Sequence, residues 1–223
     1  MQSQHGIDVS NKNVIKFGSG MSKQWIPLSN FYDHTMIYRG KTYPSSEHAF
    51  QAQLLQNPEQ MEDFVVGGKY SDYECMYDFY PKLSHEKIEQ KIRYWKKKNC
   101  IGILAKMAIG RIKKSGGKRS MSYYECETVF EKILTIKFSD PDMKKILTST
   151  GDSYLLEYDR FGIHRKSRWG GAIDTGKIHG DNQMGALIMN VRKQCMPMDG
   201  ERLRKWMEKK GYDGTRLEVA CFF

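Results

Sequence analysis

Apolar residues recur along this chain mostly at helical spacing. Met184, Leu187, Ile188, Val191 and Cys195 fall at offsets of 0, 3, 4, 7 and 11, which puts them on one helix face. "SYYECETVFEKILTIKF" (122–138) sets Cys126, Val129, Phe130, Ile133 and Lys137 on a second stripe. Ile88, Ile92 and Trp95 mark a helix over about 84–98, and Ile103 and Met107 mark another over about 99–113. "SDPDMKKILTSTG" (139–151) opens with a Ser-x-x-Asp cap and closes on Gly151, so both ends of a short helix are signalled. One more helix is expected from about Ser45 to Gln56, stopped by Asn57-Pro58.

Strand signals are shorter. "VIKF" (14–17) stops at "GSG", "TMIYRGKTY" (35–43) reads as a hairpin turning at Arg39-Gly40, and "SYLLEY" (153–158) is strand-like. The connector 67–81 has no legible pattern, and residues 159–181 read as a long polar, glycine-rich loop. From Pro197 the tail carries one short helical pattern around Leu203 and Trp206, suited to packing on the main body or to an interface. No internal repeat interrupts this order.

Composition narrows the class. With 39% hydrophobic and 12% aromatic residues, the chain can build a core and is not a disordered segment. Its 223 residues suit one domain, or one domain with a short appendage. No run is long and apolar enough to cross a membrane, and "MQSQHGIDVSNKNV" has no signal-peptide pattern, so a cytoplasmic protein without membrane contact is expected. The five cysteines are scattered and odd in number, which fits reduced thiols better than a disulfide frame. The formal net charge of +10, with basic runs at 91–99, 110–119 and 163–168, favours anionic partners: nucleic acid, nucleotides or phosphorylated metabolites.

Candidate chemistry sits in three places. "GAIDTGKI" (171–178) has Gly-x4-Gly-Lys spacing, but Ile178 stands where a P-loop needs Ser or Thr for Mg²⁺, so a nucleoside-triphosphatase is rejected. The six histidines show no metal-ligand spacing, and no metal site is expected. The long loop offers Trp169 beside Gly170-Gly171 and leads into a helix start near Asn182, whose N–H groups suit an anion. Arg192 lies at the edge of the apolar face that follows, either as a snorkelling surface residue or as an anion clamp. In "GKTYPSSEHAFQAQ" (40–53), Glu47 shares a helix face with Phe50 and Leu54. Geometry divides it evenly between a helix-dipole partner and a buried functional acid.

Five stretches in order resemble the blocks of the NADAR (NAD and ADP-ribose, YbiA-like) family. They are "PLSNFY" (27–32), "GKTYPSSEHAFQAQ" (40–53), "KFSDPDMKKILTSTGDSYLLE" (137–157), "RWGG" (168–171) and "GDNQMGALIMNVR" (180–192). The likeness covers residues 13 to 195. It implies an α+β fold, a single helix-rich domain over 1–195 with a short N-terminal β-hairpin or small sheet, and it leaves 196–223 as an extension. It also implies hydrolysis of N-glycosidic bonds to ribose, on ADP-ribosylated guanine in nucleic acid or on phosphoribosyl-amine intermediates of riboflavin synthesis, without a cofactor. A module that binds ADP-ribose or NAD without turnover is the alternative.

Carried over residue by residue, the resemblance makes Glu47 the catalytic carboxylate and puts Asn30, Lys41, Trp169, Gly170, Asn182 and Arg192 in the substrate site. Trp169 would stack on the base or wall the ribose, and Asn30 and Asn182 would bond ribose hydroxyls or base edges. Lys41, Arg192 and the helix start after Asn182 would hold phosphate. The sequence departs from the family in three ways. A usual tryptophan falls on Ser122, with Tyr123 or Tyr124 as substitutes. A usual acid before Trp-Gly falls on Lys166, which leaves Asp159 open as a second acid. Residues 58–121 match poorly.

Overall fold

The computed structural model describes residues 3–18, 21–114, 121–164 and 167–196, with the side chains of Tyr123 and Tyr124 outside that set. The expectations for the tail from Pro197, for Lys166 and for those two tyrosines therefore fall outside the described residues.

In chain order, β1 (Val14–Phe17) leads through a 3-10 turn (Lys23–Leu28) to a hairpin of β2 (Met36–Tyr38) and β3 (Lys41–Tyr43). Six helices follow among the short connectors: α1 (Ser46–Gln53), α2 (Pro58–Glu62), α3 (Cys75–Phe79), α4 (His85–Lys97), α5 (Gly102–Lys114) and α6 (Tyr123–Lys137). Next come α7 (Pro141–Thr148), β4 (Tyr154–Glu157), a hairpin of β5 (Ala172–Asp174) and β6 (Lys177–His179), and α8 (Gln183–Cys195). The result is the expected single helix-rich α+β domain with small two-stranded sheets.

The β2–β3 turn is where the sequence put it, with Arg39 and Gly40 both at positive φ and Tyr38 paired to Lys41, as a two-residue loop requires. β1 does not join that hairpin. It pairs in parallel with β4, Val14 to Tyr154 through Phe17 to Glu157, so the helices from α1 to α7 all lie within one long crossover.

Three local expectations change. Residues 159–181 are not all loop: Thr175 and Gly176, both at positive φ, turn the short β5–β6 hairpin that "AIDTGKIH" encodes in three-residue strands. The face of α5 shifts to Leu104, Ala105, Ala108, Ile109 and Ile112, leaving Ile103 and Met107 half-buried. That helix starts at Gly102, which is pressed so closely on Phe31 that a Cβ would lie 2.6 Å from its Cα. The cap of α7 is Asp140, accepting from the Asp142 and Met143 amides, rather than Ser139.

In the core α5 and α6 pack on α1, and α8 packs on α6 and β4; α1 itself is anomalous. All eight of its residues are buried, yet Ser46, Glu47, His48, Gln51 and Gln53 are polar. A helix surrounded by protein is ordinarily apolar all round, so this polar one needs a reason.

Candidate active site

Two of those polar side chains hold the fold. His48 accepts from the Ser45 hydroxyl at Nδ1 (2.8 Å) and donates from Nε2 to the Tyr70 carbonyl (2.9 Å). Burial lowers its pKa to about 4, so it stays neutral. Gln53 accepts from Arg39 of the hairpin at 3.0 Å.

Glu47 is different. It is in the first turn of α1, capped by Ser45, and only 4% exposed. Its backbone N–H donates to the Asn30 carbonyl (3.1 Å). Gln51, one turn on, donates to its Oε1 at 2.6 Å, and Lys106 of α5 brings a half-exposed ammonium to 4.0 Å from the same oxygen.

A second carboxylate, Glu157 at the end of β4, is electrostatically coupled to Glu47. Burial first, and then the Glu47 charge, push its pKa up to about 8, while Lys106 and Lys137 oppose the rise. Lys137 closes α6, is 1% exposed, and donates to the Ser29 carbonyl at 2.7 Å. Burial lowers its pKa to about 7. By gripping Ser29 it fixes the turn from which Asn30 receives Glu47.

Around this pair, several buried polar atoms have no protein partner: Asn30 Oδ1, Ser46 Oγ, Gln51 Oε1 and Gln183 Oε1. Buried polar atoms are nearly always bonded, to protein, water or ligand, so these four oxygens, like the buried hydroxyls of Tyr38 and Tyr73 elsewhere, are open to a further partner. Asn30 spends its amide nitrogen on Met184 Sδ (3.2 Å), which ties its turn to the start of α8.

Glu157 is held with care. Asn182 sits at φ 43°, a left-handed backbone, and its side chain bridges β4. Its Oδ1 accepts the Glu157 N–H (3.0 Å), and its Nδ2 donates to the Leu155 carbonyl (2.9 Å) and the Tyr154 hydroxyl (3.1 Å). One amide thus replaces a neighbouring strand along that edge. Gly185 permits the approach, since a Cβ there would meet the Leu155 oxygen at 2.1 Å. Gly170 does the same on the other side, where a Cβ would lie 2.5 Å from the Glu157 oxygen.

Trp169 stands edge-on to Phe130 (5.0 Å) and Phe50 (5.9 Å), with the Arg168 guanidinium 4.9 Å from its ring. Phe50 is one turn along α1 from Glu47, so Trp169 walls the same region.

The fold therefore brings Glu47, Asn30, Trp169, Gly170 and Asn182 to one junction, where α1, the end of β4 and the start of α8 meet. Gly170 and Asn182 turn inward there, to the backbone of β4. Lys41 is ion-paired with Glu62 of α2. Arg192 is buried at the opposite end of β4, donating to the Thr150 hydroxyl (2.7 Å) and the Ser153 carbonyl (2.9 Å). Four residue steps along the strand take the chain from Ser153 to Glu157, about 13 Å.

The anion site expected at the start of α8 is also corrected. The amides of Asn182, Gln183 and Met184 donate to the carbonyls of Gly170, Arg168 and Trp169 at 3.0–3.1 Å, so the preceding loop has taken these three N–H groups. Sequence reasoning missed Glu157, Lys106, Gln51 and Gln183. The one available signal was an acid closing an otherwise buried strand, "YLLE".

No family model matches the chain, and no curated protein matches it. Among solved structures, the NMR structure of the E. coli protein YbiA aligns over 96% of this chain and 95% of its own, at 20% identity and a TM-score of 0.51. The chain has a YbiA-like fold. At that identity the likeness speaks for architecture, and the chemistry must be argued from the junction itself.

Proposed function

We propose that this chain is an N-glycosidase that cleaves the bond between ribose C1′ and a base or amine in an ADP-ribosyl or phosphoribosyl compound. ADP-ribose on guanine in nucleic acid is the leading substrate. The observation that carries the reading is a pair of carboxylates at a buried polar junction: Glu47 is 4% exposed, and burial together with the Glu47 carboxylate pushes the Glu157 pKa up to about 8. Sequence resemblance supports it for Glu47, and the basic charge supports an anionic substrate.

In this mechanism water attacks C1′ as the C1′–N bond breaks, its electron pair going to nitrogen. Glu47, ionised, stabilises the positive charge that develops on the ribose and takes a proton from the water. Glu157, protonated near neutral pH, gives its proton to the departing nitrogen. The pair ends with its proton moved from Glu157 to Glu47, and exchange with solvent restores the resting state. Trp169 walls the base or ribose, and the orphan oxygens of Asn30 and Gln183 accept from ribose hydroxyls. Lys106, on the solvent side of Glu47, takes the phosphate role that Arg192 cannot reach. Asn182 acts as a positioning residue for Glu157.

The test is a substrate panel of ADP-ribosyl-guanine oligonucleotides and phosphoribosyl-aminopyrimidines, with release of the ribosyl product as the readout. Release from the oligonucleotide by the wild type and not by Glu47→Gln is the expected result. Tight binding without release makes the protein a reader of ADP-ribose. A folded Glu47→Gln that keeps near wild-type hydrolysis removes Glu47 from the mechanism.

A further inference from the structure

A groove along α4 shares no residue with the Glu47 junction. Lys87, Lys91, Tyr94 and Lys98 follow one another at offsets of 0, 4, 7 and 11 along α4 and its cap, forming one outward stripe. Ile88 and Ile92 anchor the other side of that helix in the core. The chain leaving α3 faces the stripe across a groove of about 870 Å³, lined by Tyr80, Lys82, Lys87, Lys91, Tyr94 and Trp95 among others.

Its chemistry is of two kinds. Tyr94 is 51% exposed and stands edge-on to Trp95 at 5.0 Å. The Lys91 ammonium lies 4.8 Å from the Tyr80 ring, and Lys98 lies 5.9 Å from the Tyr94 ring. No carboxylate is among the lining residues, and Glu89 of the same helix is turned to the Tyr77 hydroxyl. Lysines alone attract any polyanion. An exposed aromatic face set among them adds a platform that an unpaired base can stack on, whereas a duplex buries that face of its bases and an acidic peptide has no use for it.

We propose that this groove binds single-stranded nucleic acid, its bases stacking on Tyr94 and Trp95 and its phosphates meeting Lys82, Lys87 and Lys91. The inference goes beyond the proposed chemistry and is tested apart from it. An unmodified strand carries no ADP-ribose, so failure to bind it and failure to hydrolyse an ADP-ribosyl bond are separate results.

The experiment is fluorescence anisotropy of the full chain with a labelled, unmodified DNA strand of about 15 nucleotides, in low and moderate salt. Saturable binding is expected. The double variant Lys87→Glu/Lys91→Glu should weaken it about tenfold or more at low salt and reduce the slope of log K against log salt by about 1.4. Tyr94→Ala should weaken it about fivefold or more and leave the slope unchanged, because stacking releases no counterions. All three positions are on the surface, and circular dichroism checks that the variants fold. Four results overturn the proposal: no saturable binding by the wild type, both variants binding like the wild type, tighter binding of the matching duplex, or displacement by poly-glutamate as effective as by unlabelled strand.

Discussion

The two ends of β4 invite comparison, because α8 runs along the strand and pins each end with a buried polar side chain. At one end Arg192 holds Thr150 and Ser153. At the other, Asn182 holds Leu155 and Glu157. Both sets of bonds are complete within the protein. They differ in what lies beyond them. The Asn182 end abuts α1 and the Asn30 turn, where two carboxylates interact and several buried oxygens have no partner. Burial of a polar residue therefore does not separate structural from functional roles in this fold. The number of open acceptors gathered in one place is the better guide: the Arg192 bonds brace the strand, while the junction keeps acceptors that a ligand or water can use.

Substitution can break that comparison. The largest effect belongs to Glu47→Gln, which preserves shape and burial but removes the proposed base. Hydrolysis of a confirmed ADP-ribosyl substrate should fall by about 10²–10⁴-fold in kcat, with the melting temperature held or raised, because a buried carboxylate has been replaced by a neutral side chain of the same shape. Arg192→Met should do the reverse. It strands the Ser153 carbonyl and should cost about 2–4 kcal/mol of stability in urea unfolding. The kcat per folded molecule should be unchanged. If Arg192→Met instead impaired turnover and spared stability, the division between the two ends would collapse.

The same contrast explains how much was legible in the sequence. Helix α8 was plain because its apolar residues keep strict spacing, and α6 and the Arg39-Gly40 hairpin were plain for similar local reasons. Glu47 was visible as an acid on an apolar face. What could not be read was pairing across the crossover: Glu157 ends a strand whose partner, β1, lies 140 residues earlier in the chain, and its electrostatic link to Glu47 has no local signal in sequence. Arg192 was misread for a related reason. Its place on the edge of an apolar face fits a ligand clamp and a strand brace equally well, and only the position of Ser153 decides between them. The start of α8 was misread because sequence shows the amides of a helix end but not the loop carbonyls that fold back onto them.

A smaller effect sharpens the reading of the junction. If Glu157 supplies the proton, activity needs Glu47 ionised and Glu157 protonated, so the pH–rate profile should be bell-shaped with its basic limb near pH 8. Glu157→Gln should lose that limb and lower kcat by about 10–100-fold. A retained limb would assign the proton to another group, with Asp159, two residues on, the first to examine.

The last effect is a pH dependence of stability and concerns Lys137. Its pKa is about 7 when folded, against an ordinary 10.5, so between those values the unfolded chain holds a proton that the folded chain has released. Stability should therefore rise with pH across that window, by up to about 1.4 kcal/mol per unit, and the gain is lost as pH falls through 7. Glu157 acts in the opposite sense. Its pKa is raised from 4.5 to about 8, so the stability it contributes is present below pH 4.5 and disappears as pH climbs through 8. The two windows overlap and should leave a minimum in stability near pH 7–8. Urea unfolding across pH 5–10 should show it, with the alkaline rise reduced in Lys137→Met and the acid-side fall reduced in Glu157→Gln. Arg192, although its pKa is also lowered by burial, remains charged throughout that range, so Arg192→Met should shift the whole curve down without changing its shape. A curve whose minimum moved with Arg192→Met would mean that the two ends of β4 are electrostatically one site.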